Sequence, residues 1–71
     1  MEDDITKKKA EWIIREKMEL KDDDKLRESS MEYFPDRYLV EAVLITNQKK
    51  KIVTKDHALA LEVFTQLSRR K

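Results

Sequence analysis

The chain has 71 residues, 44% of them charged and 39% apolar, with neither cysteine nor glycine. That length holds one domain at most (1–71), the missing cysteine excludes a disulfide framework or thiolate zinc site, and the missing glycine excludes the phosphate-binding Walker A and dinucleotide fingerprints. The balance of 16 basic against 15 acidic residues hides a division, because residues 1–48 sum to −4 and residues 49–71 to +5, so the C-terminal third is the part suited to a polyanion.

The first periodic segment runs from about Thr6 to Leu20. Ala10, Ile13, Ile14 and Met18 fall on one helical face, with Trp12 and Leu20 at its margins and Lys, Arg and Glu on the rest. The next stretch, KDDDKLRESSMEYF, opens with three aspartates where a helix N-terminus favours negative charge. It predicts a second, shorter helix with Leu26, Ser30, Tyr33 and Phe34 on one face. Pro35 lacks an N–H and disfavours α conformation at Phe34, so it ends that helix or starts the next one.

The following DRYLVEAVLITNQ has two readings. As a helix, Tyr38, Leu39, Ala42, Val43 and Thr46 form a stripe that Pro35 and Asp36 start well. As a strand, Tyr38, Val40, Ala42 and Leu44 alternate with Leu39, Val43 and Ile45. A hairpin must reverse within TNQKKK without glycine, using Asn47 as the residue most tolerant of positive φ, and then has Ile52 and Val53 as its second apolar strand. The turn chemistry favours helices. The expected fold is all-α, with three to four short amphipathic helices. The alternative is α+β: two N-terminal helices, a β-hairpin at about 38–54 and a C-terminal helix.

The last helix starts at Thr54 as N-cap, with Asp56 opposing the dipole in the first turn. Ala60, Leu61, Phe64 and Leu67 make its buried stripe, extended by Leu59 and Val63. Arg69, Arg70 and Lys71 close the chain, and the ends, 1–5 and 69–71, are expected to fray. The segment KKKIVTKDHALALEVF resembles the second loop and last helix of histone-fold proteins, such as archaeal histones and small centromeric ones. It shares their basic residues, β-branched pair, capping Thr, Asp two places on, and alanine-containing amphipathic helix. That resemblance implies that Lys49, Lys50 and Lys51 meet DNA phosphate and that Ile52 and Val53 pair with a partner's loop.

Adjacent Asp56 and His57 point in different directions on a helix and lack a Ser or Cys nucleophile context, so no catalytic residue is assigned and no enzyme is expected. Asp22, Asp23 and Asp24 lack EF-hand spacing and read as a solvated cap, so no metal and no cofactor is assigned. A chain this small has apolar surface to spare, and its core alone supplies only a few kcal/mol. The expected function is therefore a non-enzymatic protein-interaction or regulatory module, with a protein partner or homodimer held through Trp12, Phe34, Tyr38, Val40 and Leu44. The alternative is a nucleic-acid-binding protein contacting phosphates through Lys49, Lys50, Lys51, Lys55, Arg69, Arg70 and Lys71. No apolar run approaches the roughly 20 residues of a membrane span, and MEDDITKKK is unlike a secretory signal; a cytoplasmic location is the expectation, with no small-molecule substrate.

Overall fold

The computed structural model describes residues 2–71, with side chains from Asp4 onward. The first helix, α1, covers Glu2–Trp12 and runs on into a π turn, Ile13–Lys17. Three strands follow, β1 (Leu26–Tyr33), β2 (Tyr38–Leu44) and β3 (Lys49–Thr54), and then helix α2 (His57–Ser68). The strands form an antiparallel sheet in the order β1-β2-β3. The fold is thus α+β, which corrects the all-α expectation. The hairpin alternative places β2 and β3 well, but the second N-terminal helix it also assumed is strand β1.

The reason lies in the central strand. β2 alternates along its length, with Val40, Ala42 and Leu44 buried under the helices and Leu39, Glu41 and Val43 half-buried on the opposite face. A run apolar on both faces suits the middle of a sheet, where each face is at least partly covered and β-branched side chains pack against cross-strand neighbours. β1 reads weakly because it is an edge. Met31 pairs with Val40 and Ser29 with Ala42, and the Ser29 hydroxyl lies 3.3 Å from that of Ser68 on α2. The register slips between Leu26 and Glu28, a bulge at Arg27 that lets its guanidinium donate to the Asn47 side-chain oxygen at 2.6 Å.

Both reversals are made without glycine. Pro35 and Asp36 form the tip of the first hairpin, where Phe34 N–H donates to Arg37 O at 2.9 Å and proline's missing donor is not needed. In the second, Asn47 N–H donates to Leu44 O and Leu44 N–H to Gln48 O, both at 2.8 Å, and Asn47 takes φ 73°. This is a three-residue loop with Asn in the left-handed position that glycine usually fills.

The first helix ends by a related device. Met18 N–H donates to Ile13 O at 2.9 Å and Leu20 N–H to Ile14 O at 3.0 Å, while Glu19 turns left-handed at φ 56°. This resembles a Schellman closure widened by one residue, because the last turn is π. The aspartates beyond it cap no helix. Asp24 accepts from Lys21 N–H at 2.8 Å within the loop leading to β1.

α2 lies over β1 and β2, while the π turn of α1 passes beside β3. Between helices and sheet lies the core: Ala10, Ile13, Ile14, Met18 and Leu20 from the first segment, Leu26, Val40, Ala42 and Leu44 from the sheet, and Leu59, Ala60, Val63 and Leu67 from α2. Two details of the last helix differ from expectation. Its N-cap is Asp56, whose carboxylate accepts from Leu59 N–H at 3.2 Å, while Thr54 supports the cap by accepting from Asp56 N–H at 3.1 Å. Its buried stripe is Leu59, Ala60, Val63 and Leu67; Leu61, assigned to that stripe from the sequence, is 46% exposed. Among the described residues no helix is long and apolar enough to cross a membrane.

Candidate interaction surface

The expected interface residues divide. Val40 and Leu44 point into the core and are buried, so neither presents a surface to a partner. Tyr38 is half-buried at the far end of β2, stacked edge-on to Tyr33 with ring centroids 5.6 Å apart and lying 5.1 Å from the His57 ring. Phe34 is partly exposed at the hairpin tip, with the Arg37 guanidinium 5.5 Å from its ring. These aromatic rings touch one another at that end of the sheet, with Tyr33 65% exposed and His57 exposed. They also place His57 in a packing role, while the Asp56 carboxylate is engaged by the helix cap.

Trp12 is different. It ends α1 with 46% of its surface exposed, and the Lys17 ammonium lies 5.4 Å from its ring centroid. In an α-helix, residues five apart diverge. In a π turn they lie one above the other, which is how Lys17 reaches Trp12. Together with Ile13 they form one wall of a shallow groove of about 430 Å³ whose other wall is Lys51, Ile52, Val53 and Thr54 of β3. No carboxylate is among the described residues lining it.

The β3 wall is an open strand edge, and the hydrogen-bond pattern says which groups are free of the sheet. Leu44 N–H pairs with Gln48 O, so the bonded pairs recur at Ala42 with Lys50, Val40 with Ile52 and Tyr38 with Thr54. Lys49, Lys51 and Val53 therefore direct their N–H and C=O away from β2. Their side chains lie on the sheet face turned away from the helices. That face forms a grid in which Glu32, Leu39 and Val53 make one row, Ser30, Glu41 and Lys51 the next, and Glu28, Val43 and Lys49 the third.

The basic residues expected to act together are dispersed. Lys49 and Lys51 share the open sheet face, whereas Lys50 is on the helix side, 3.8 Å from the Glu19 carboxylate. Lys55 is exposed in the loop before α2, and Arg69, Arg70 and Lys71 lie at the other end of that helix. Arg70 is committed structurally: its guanidinium donates to Lys21 O and its own carbonyl accepts from Leu26 N–H. Among the described residues no three His, Asp or Glu side chains come together to hold a metal ion.

Sequence reading missed Lys17 and the β3 edge; Val53 entered it only as part of the hairpin's second strand and of the segment that the histone-fold resemblance pairs with a partner's loop. Trp12 and Lys17 are related through a π turn, which has no sequence signature at this length, and the edge exists only once β3 is recognised as a strand. Comparison with known proteins adds no relationship: no family model, no curated protein and no solved structure matches the chain.

Proposed function

We propose that this chain is a small non-enzymatic protein-interaction module that binds its partner in the groove between the π turn and β3. The observation that carries the reading is Trp12, a large aromatic side chain left 46% exposed at a helix end, beside a strand edge with no further strand among the described residues. Large aromatics with an apolar floor and a charged rim are the composition of interface anchors. Ile13 and Ile52 supply the floor here, and Lys17 and Lys51 the rim. A photoreactive amino acid placed at Lys17, compared with one at exposed Leu61, tests the reading in cells. A discrete cross-linked partner is expected from position 17, absent from position 61 and lost when Trp12→Asp is added. Equal cross-linking from the two positions contradicts it.

A second reading, contact with nucleic-acid phosphate, is favoured by one observation: Lys49 and Lys51 project from the same face of β3, two residues apart. It requires binding to duplex or single-stranded nucleic acid that weakens steeply with salt and is lost in Lys49→Glu/Lys51→Glu. The absence of binding at low salt would remove it.

A further inference from the structure

The groove is the right shape and charge for one kind of occupant. Resting on the interaction reading above, we infer that it takes an extended acidic peptide segment, added to β3 as a fourth strand of the sheet.

Three observations converge. First, β3 presents an alternating set of outward N–H and C=O groups at Lys49, Lys51 and Val53, spanning about 13 Å at the usual rise per residue, which matches a partner strand of five or six residues. An added strand satisfies these groups by the same ladder that joins β3 to β2, and backbone bonds of this kind supply affinity without demanding one partner sequence. Second, the wall opposite the edge is apolar and aromatic: Trp12 and Ile13 lie across the groove from Ile52, which is on the helix side of β3, while Val53 lines it from the strand edge. Alternate side chains of a strand laid there meet that wall, and the others meet the open face of the sheet. Third, the charge at the edge itself is of one sign. Lys17 and Lys51 line the groove, Lys49 lies further along the edge, and no carboxylate is among the described lining residues; the carboxylates of the open face, Glu41, Glu28 and Glu32, lie on β2 and β1, one or two strands in from the edge. A strand with glutamates or aspartates at alternate positions is favoured there and a basic strand is repelled. The same lysines oppose edge-to-edge pairing of two copies of this chain, the protective use of lysine on sheet edges.

The test uses the full chain and three synthetic heptapeptides: one alternating Glu and Val, one alternating Lys and Val, and the Glu-Val peptide with Pro at its centre. The readout is amide hydrogen exchange residue by residue, with Trp12 fluorescence as the independent report of groove occupancy. The acidic peptide is expected to slow exchange at Lys49, Lys51 and Val53 and to leave Lys50 and Ile52, already bonded to β2, unchanged. The Lys and Pro peptides are expected to do neither, since one carries the wrong charge and the other lacks a ladder donor. Lys17→Glu/Lys51→Glu is expected to weaken the acidic peptide by about tenfold and to favour the basic one.

Equal binding of acidic and basic peptides overturns the charge assignment. Perturbed Trp12 fluorescence without slowed exchange at the three β3 amides overturns strand addition and leaves the interaction reading standing. No response at Trp12, together with no cross-linking from position 17, overturns both. If those amides slow with protein concentration alone while the sedimenting mass doubles, the occupant is a second copy and the acidic-peptide assignment is wrong.

Discussion

Replacing Glu19 by glycine should stabilise the protein, and the size of the gain follows from the helix end that this residue makes. Glu19 holds φ 56°, a conformation in which an L-residue's Cβ crowds the following carbonyl at a cost of about 1–2 kcal/mol. It stays there because Leu20, buried to 1% exposure, must turn back so that its N–H reaches Ile14 O. Glycine removes the crowding but loses more backbone freedom on folding, which returns about 0.5–1 kcal/mol. The ion pair to Lys50 is long, at 3.8 Å, and its Glu19 side is 77% exposed, so it adds little. Alanine at the same position removes the ion pair without relieving the backbone, and comparing the two variants isolates the backbone effect. Glu19→Gly should exceed Glu19→Ala by up to about 1.5 kcal/mol, with a midpoint of about 0.75 kcal/mol, which in a domain of this size is a rise of roughly 3–6 °C in Tm. Thermal and urea unfolding, followed by circular dichroism, measure it. Glu11→Gly, in the right-handed body of α1, should fall by about 1 kcal/mol as the control of opposite sign. Glu19→Gly falling about 1 kcal/mol below Glu19→Ala, as glycine does in a right-handed helix, would refute the left-handed closure and, with it, the placement of the π turn that carries Trp12 and Lys17.

Two further expectations concern the last helix. Asp56→Ala removes the cap on Leu59 N–H and should cost about 0.5–2 kcal/mol in urea unfolding, more than Thr54→Ala, which loses only a supporting hydrogen bond. Leu67→Ala opens a hole in the buried stripe and should cost about 2–5 kcal/mol, whereas Leu61→Ala, at a position 46% exposed, should cost well under about 1 kcal/mol; comparable costs at the two positions would restore the stripe read from the sequence, which held both.

The two terminal segments were legible because each buries one face at helical spacing: Ala10, Ile13, Ile14 and Met18 in the first, Ala60, Val63 and Leu67 in the last. The middle was not, for two distinct reasons. Residues 38–45 are apolar at nearly every position, which a two-sided central strand and a broad helical stripe produce alike. Residues 26–33 form an edge strand whose helix-facing positions include Ser29, so their alternation is faint and the three preceding aspartates imitate a helix start. The absence of glycine does not forbid tight reversals: Asn47 and Glu19 both accept positive φ, and Pro35 with Asp36 needs none. Of the candidate site, Trp12 was visible as an aromatic at the margin of a helical face. Its neighbours Lys51 and Val53 were visible as residue types but not as a strand edge, because that depends on register with β2.

The most direct test is hydrogen exchange along β3 in the free protein, with no ligand added. Lys50 and Ile52 donate to β2 and should be protected, while Lys49, Lys51 and Val53 should exchange nearly as fast as unstructured backbone. This alternation is the signature of an open edge beside Trp12. Uniform protection from 49 to 53 would mean that the edge is already covered, and continuous helical protection through 38–54 would mean that there is no edge to bind.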